Sequence, residues 1–414
     1  MNSLLRHPEP LGAPPPDVAC AMTMAEAHRH DDLSRLRIAF ISGNYNCVRD
    51  GANRAQNMLV RYLIERGAAV RIYSPTIDEP AFAPAGDLVS VPSIPMAFGR
   101  KEYRVSLTLP AATRADIVAF RPNIFHISLP FFHGKSALAL ARRMGVPVVS
   151  AMHTRFETYP RYYHLGLFER PMIARLRKFY RGCDRVVAPC ESAARIMEEQ
   201  DMGDAIGIWS RGVDQGVFNP GRYDFGWRRS LGFADDEPVI AFLGRLVLEK
   251  GLDEFAATIE RLRGDSTHFR VLVIGDGPAR DWFAARLPDA VFVGFQHGPD
   301  LGRALASADL LLNPSATEAF GNVSLEAMAC GLPVVAADAA GNSSIVIDDR
   351  TGALVRPGDI DGYAVAIRRY LADPALRLAH GRNALAHSCL FSWDRANAAM
   401  VDIYFSALDR STSR

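Results

Sequence analysis

Cysteine is scarce and scattered. The six thiols, Cys20, Cys47, Cys183, Cys190, Cys330 and Cys389, lie far apart with no CxxC or CxxH spacing. Such spacing argues against a disulfide framework and a zinc site, and suits free thiols in a reducing compartment. Long apolar runs are missing as well: no stretch approaches the ~18 consecutive apolar residues a spanning helix needs. The early Arg6 is not followed by a continuous apolar core, so no secretory leader is expected. Charge of one sign is also lacking. A net charge of +1 gives no global field toward nucleic acid or an acidic polymer, and no nucleic-acid motif is present. Nor does any clean G-x-G-x-x-G follow the first apolar run, with an acid about 20 residues on, so a dinucleotide oxidoreductase is poorly served.

What remains is ordinary globular material: 414 residues, 49 % hydrophobic and 22 % charged, enough for two domains with separate cores. Residues 1–33 contain Pro14-Pro15-Pro16 and the cluster His28-Arg29-His30-Asp31-Asp32. They are expected to form a disordered, solvated tail rather than a metal site. From Arg37 onward, short β-branched runs alternate with amphipathic stretches. Strands are expected at 37–42, 69–73, 124–128, 147–152 and 185–188, with helices at 53–66, 135–144 and 171–181. A second series has strands at 239–243, 270–274, 290–293, 310–313 and 333–336, with helices at 252–262, 278–287, 300–307 and 323–329. Buried strands separated by helices imply parallel sheets covered on both faces. The expected fold is α/β, two tandem Rossmann-like doubly wound domains facing across a cleft. They would cover 34–214 and 215–390, with 215–237 as a Gly-, Pro- and charge-rich linker. An amphipathic helix is expected over 391–414, with the first domain as a candidate surface for it to pack on.

The segment Glu318-Ala319-Phe320-Gly321-Asn322-Val323-Ser324-Leu325-Glu326 is the most informative in the chain. A strand ends before it, Gly321 allows close backbone approach to a ligand, and a helix starts near Asn322 with free N–H groups. Glu326, one turn into that helix, can accept hydrogen bonds from a ribose diol, while Glu318 can meet sugar hydroxyls. The bland alternative is two solvated acids near a helix start, where acids are common. A second cluster, Gly244-Arg245-Leu246 and Glu249-Lys250-Gly251, follows the first strand of the second series. A fixed guanidinium and ammonium there can balance an anionic ligand in place of a metal. The alternative is a plain basic strand–helix loop.

With its trailing Glu-Ala-Met-Ala-Cys-Gly-Leu-Pro, residues 326–333, the first segment resembles the Glu-x7-Glu signature of glycosyltransferase family 4, a retaining family of GT-B architecture. That resemblance implies a nucleotide-sugar donor with no resident cofactor and no metal. It assigns the donor to Gly51, Arg245, Lys250, Gly294, Phe295, Glu318, Phe320, Gly321, Asn322, Val323 and Glu326. Gly275-Asp276-Gly277-Pro278 matches a turn beside the nucleotide, and Gly294-Phe295 the region near the base. His153, at the end of the strand over 147–152, matches a histidine set against the donor sugar. With Arg245, Lys250 and Glu318 it makes the expected catalytic set, though not as a general base. In such enzymes the departing phosphate accepts the proton, and no protein nucleophile is identifiable here.

In the loop Gly43–Asn53 the match is partial: Gly51 precedes Ala52 where the family usually has a second glycine. Arg49, Asp50 and Asn53 are acceptor candidates, together with Arg155 and Tyr159. The stretch His153–Tyr163 is similar to transferases that glycosylate lipids such as diacylglycerol, including sulfoquinovosyl- and glucuronosyl-transferring members. This implies a UDP-sugar and a lipid hydroxyl. GDP-mannose with a polysaccharide or lipid-linked acceptor is the alternative, and a non-catalytic sugar-nucleotide sensor a further one. Between Arg155 and Arg185 eight basic residues face three acids among apolar side chains. That pattern suits a cytoplasmic enzyme docking peripherally on anionic membrane lipid, or a helix whose apolar side simply faces the core.

Overall fold

The computed structural model describes residues 32–96, 103–156, 167, 169–264 and 268–412. It divides into two compact units. One comprises residues 32–212 and returns for the chain's end from residue 393; the other is Val213–Ser392.

In the first unit the elements run β1 (Arg37–Ile41), α1 (Gly51–Glu65), β2 (Ala69–Ser74), β3 (Asp87–Ser90), β4 (Ile94–Pro95), β5 (Arg104–Val105), α2 (Ala111–Phe120), β6 (Ile124–Ile127), α3 (His133–Met144), β7 (Val148–Ala151), α4 (Glu169–Tyr180), β8 (Arg185–Ala188), α5 (Glu191–Glu199) and β9 (Gly207–Ile208). Seven strands form one parallel sheet in the order β3-β2-β1-β6-β7-β8-β9, with β4 and β5 as a separate antiparallel pair. Apart from the exposed Arg37 at the start of β1, the central strands are buried along their length, so they read as largely apolar runs. Edge strand β3 is half exposed and β9 has two residues, which is why neither stands out in the sequence. Leu33 and Leu36 are fully buried in this core, so the ordered chain begins earlier than residue 34.

The second unit begins with α6 (Phe225–Ser230) and continues β10 (Val239–Leu243), α7 (Leu252–Arg263), β11 (Arg270–Ile274), α8 (Arg280–Arg286), β12 (Val291–Gly294), α9 (Gly298–Ala306), β13 (Leu310–Asn313), α10 (Asn322–Ala329), β14 (Val334–Ala337), α11 (Ala340–Ser343), β15 (Gly352–Val355), α12 (Ile360–Ala372) and α13 (Pro374–Ser388). Its parallel sheet has the order β12-β11-β10-β13-β14-β15. The stretch 215–237, expected to be a linker, is instead built into this unit. Arg228 is buried there, donates to the Ser307 and Glu237 carbonyls and pairs with Asp309 at 3.0 Å. Composition hid this, because a buried arginine and two separated buried rings, Phe218 and Phe233, fasten a segment otherwise rich in glycine, proline and charge.

The last helix, α14 (Trp393–Thr412), belongs to the first unit. Ala396, Met400, Val401, Tyr404 and Ala407 form one buried cluster with Leu59, Leu63, Val149, Val187 and Trp209. Their i, i+4, i+7/8 spacing puts them on one face of the helix. Tyr404 Oη lies 2.8 Å from His126 Nδ1, deep in the sheet.

Candidate functional site

In both units the strand order reverses beside the first strand: between β10 and β13 in the second, between β1 and β6 in the first. Ligands of open parallel sheets bind outside the carboxyl ends of strands at such a point. The second unit places its motif residues there. The loop after β10 carries Arg245 and Lys250, and the loop after β13 carries Glu318. Lys250 Nζ donates to Glu318 Oε1 at 2.7 Å, with Lys250 32 % and Glu318 13 % exposed. The two segments picked out separately in the sequence therefore meet as an ion pair.

Backbone contacts hold this arrangement. Thr317 Oγ1 donates to the Glu249 carbonyl at 2.9 Å, and Gly341 N–H to the Glu318 carbonyl at 2.9 Å. Gly251 adopts φ +72°, and a Cβ there would meet the Pro314 backbone at 3.0 Å. Beneath the loop lies a buried polar network. Ser324 Oγ donates to Asn342 Oδ1 at 2.9 Å, Asn313 Nδ2 reaches Ser324 Oγ at 3.0 Å, and Asn342 Nδ2 reaches the Ser315 carbonyl at 3.3 Å. A buried network of this kind is stiff only while each member stays satisfied. Sequence reading missed these residues, because Asn342 stands far along the chain from the motif it braces.

Gly321 starts α10 in the left-handed region at φ +92°, and no side chain caps the helix. The first N–H groups, on Asn322 and Val323, are therefore left to a ligand or solvent. Glu326 is the fifth residue of α10 and half-buried. Phe320 is buried and packs edge-on against Phe391 at 6.0 Å, so its side chain belongs to the core and only its backbone adjoins the loop. Gly275 N–H donates to the Gly294 carbonyl at 2.8 Å, and a Cβ on Gly275 would collide with the Gly244 carbonyl. Gly294 (φ +70°) is followed by Phe295, 56 % exposed at the sheet's end.

The first unit is different. His153 follows β7 and lies edge-on to Trp209 at 5.3 Å. Arg211 is 3 % exposed and donates to His153 Nδ1 at 3.0 Å and to the Trp209 carbonyl at 2.7 Å. His153 Nε2 is buried with no hydrogen-bond partner among the described residues. Burial, then the charge of Arg211, then His126 hold the His153 pKa well below the usual histidine range. Burial also lowers Arg211, to about 10. Arg211 was not singled out in the sequence; an arginine before Gly212-Val213 carries no local signal of burial.

The loop after β1 is tied together by its own side chains. Asp50 is the N-cap of α1, its Oδ1 accepting from Asn53 N–H at 2.8 Å. Gly51 is the first residue of α1. Asn53 is 4 % exposed, and its amide donates to the Val48 carbonyl at 3.0 Å. Arg49 is exposed and Arg155 half-exposed; Tyr159 lies outside the described residues.

The basic stretch 155–185 divides likewise. Arg177 and Arg181 pair with Asp201, and Arg185 donates to Ser406. Leu176, Phe179 and Tyr180 face the core. Arg170, Arg175 and Lys178 stay exposed on α4, near Leu167, which is 93 % exposed. Among the described residues no helix is long and apolar enough to cross a membrane, and no cluster of three or more potential metal-ligating side chains occurs.

Two family models match the chain: Glycosyltransferase Family 4 over residues 49–216, and Glycosyl transferases group 1 over residues 237–373. Sulfoquinovosyl transferase SQD2 of Arabidopsis thaliana is 31 % identical over 363 residues, covering 86 % of this chain and 70 % of that protein. A GDP-mannose-dependent alpha-mannosyltransferase of Mycolicibacterium smegmatis is 30 % identical over 337 residues, covering 80 % and 87 %. Among solved structures, a sucrose-phosphate synthase from Thermosynechococcus elongatus superposes with a TM-score of 0.72 at 20 % identity, covering 89 % and 98 %. Anabaena HepE in complex with UDP-glucose does so at 0.68 and 19 %, covering 90 % and 100 %. These likenesses establish the two-domain GT-B fold.

Proposed function

From the premise that this chain belongs to glycosyltransferase family 4 and uses a nucleotide-sugar donor, we propose that it transfers the sugar with retention and without a metal to a lipid hydroxyl. The observation that carries this reading is the Lys250–Glu318 pair at 2.7 Å, beside the uncapped start of α10 at the strand-order reversal. Arg245 and Lys250 take the charge that grows on the departing diphosphate, a task otherwise left to a cation. Glu318, oriented by Lys250, accepts from the sugar hydroxyls, Glu326 from the ribose, and exposed Phe295 adjoins the base. The incoming hydroxyl attacks the anomeric carbon from the face the phosphate leaves, and the phosphate oxygen accepts its proton. His153 acts as a hydrogen-bonding group and not as a base.

A UDP-sugar and a lipid acceptor are favoured by the stretch His153–Tyr163, and the likeness to a sulfoquinovosyl transferase agrees. Exposed Arg170, Arg175 and Lys178 would meet anionic lipid at the cytoplasmic membrane face, each contributing roughly 1 kcal/mol. The mannosyltransferase relative, 87 % covered, favours a second reading with GDP-mannose as donor. Incubation with a panel of nucleotide sugars and a total lipid extract, followed by mass spectrometry, separates the two. Mass gain on lipid from a UDP-sugar supports the first; gain only on water-soluble glycans removes the lipid acceptor.

A further inference from the structure

Arg211 is a buried cation that pairs with no carboxylate among the described residues. Its guanidinium is satisfied by the carbonyls of Trp209 and Ser210, at 2.7 and 3.1 Å, and by His153 Nδ1 at 3.0 Å. An arginine has only N–H groups to offer and never accepts. The Nδ1 of His153 must therefore present its lone pair, and the single proton of the neutral ring sits on Nε2. Protonating the ring would set an N–H on Nδ1 against the N–H of Arg211, charge against charge in a buried site.

We propose that Arg211 is a positioning residue for transfer: it fixes His153 as the neutral Nε2–H tautomer, so that the ring donates a hydrogen bond to a substrate oxygen and cannot act as a base. The buried Nε2, unpartnered among the described residues, is where that oxygen would bind. A hydroxyl or ring oxygen of the sugar, with lone pairs to give, is the matching chemistry; this assignment of the partner rests on the transferase reading, whereas the tautomer does not. The other groups near the ring reinforce the neutral state. His126 is itself buried and neutral, its Nδ1 held by Tyr404 and its Nε2 by Ser128. Trp209 covers the ring edge-on, and Cys190 is the ionisable neighbour of Arg211.

The test is the nitrogen-15 spectrum of the histidine rings in the full chain, with His153 assigned by its loss in His153→Gln. Wild type should show an unprotonated Nδ1 and a protonated Nε2, unchanged from about pH 8 to about pH 5, across the range where ordinary histidine titrates. Arg211→Met should release the ring to titrate. Its kcat should fall roughly ten- to a hundred-fold with donor KM little changed, and a new acidic limb should enter the pH profile. Arg211→Lys, which keeps a donor, should restore part of kcat and serves if Arg211→Met does not fold. A wild-type His153 that titrates in the ordinary range, or carries its proton on Nδ1, overturns the proposal. If the tautomer is as described and no nucleotide sugar supports transfer, the transferase reading fails and the Arg211–His153 coupling stands.

Discussion

In the second unit the functional side chains are charged and half-open: Lys250 faces Glu318 over a loop braced by buried hydroxyl and amide groups. In the first they are buried, and the cation Arg211 rests on carbonyls, an imidazole and an indole face. Both stand on sheets with the same reversal of strand order. One topology thus supports two electrostatic designs. The half-open ion pair suits a ligand that brings its own phosphates; the buried one, a cation beside a neutral imidazole, suits hydroxyls and a reaction that has to exclude stray proton transfer.

The largest expected difference between the units is kinetic. Lys250→Ala should lower kcat/KM roughly 100- to 1000-fold, as loss of a charge-stabilising group does, and Glu326→Ala, which removes the ribose acceptor, should weaken nucleotide binding by calorimetry. His153→Gln should lower kcat while nucleoside diphosphate affinity stays as in wild type. Equal loss of affinity in all three would erase the division of labour.

Acid should next separate the units by stability. Burial depresses His126 to about 3 and holds His153 well below its ordinary range. The unfolded chain then takes up protons first, so first-unit stability is full above about pH 6.5 and declines as pH falls toward about 3. The slope is on the order of 1 kcal/mol per pH unit for each such histidine. Hydrogen exchange at about pH 5 should show protection lost first around β6 and β7. Earlier loss around β13 and β14 would contradict it.

Smaller effects follow from single bonds. Asn342→Ala leaves Asn313 and Ser324 short of a buried partner and should cost about 2 kcal/mol in denaturant melts, with donor KM rising as the Glu318 loop loosens. Tyr404→Phe removes only the bond to His126 and should cost about 1 kcal/mol, without changing KM.

The same contrast explains what could be read from the chain itself. The central strands and most of their helices were visible because burial on both sheet faces leaves an unbroken apolar run, as at 239–243. The donor motif was visible because Glu318, Gly321 and Glu326 are contiguous and lie where strand, turn and helix meet. In the first unit His153 stood out at the end of its strand, but its neighbours Trp209 and Arg211 did not, since they lie far along the chain from it and only packing brings them to its ring. That Asp50 caps α1 and Asn53 ties its loop could not be read from the chain, because sequence does not distinguish such a residue from one that faces a ligand. The apolar residues of α4 raised a similar ambiguity, and most of those described turn to the core.

The central claim is that Arg245 and Lys250 do the work of a metal in a retaining transfer. It is tested most directly by assaying the wild-type chain with its nucleotide-sugar donor in excess chelator and reading the anomeric configuration of the product by NMR. Undiminished turnover and retained configuration are expected. Activity that vanishes with chelator and returns with a divalent cation, or an inverted product, would contradict it.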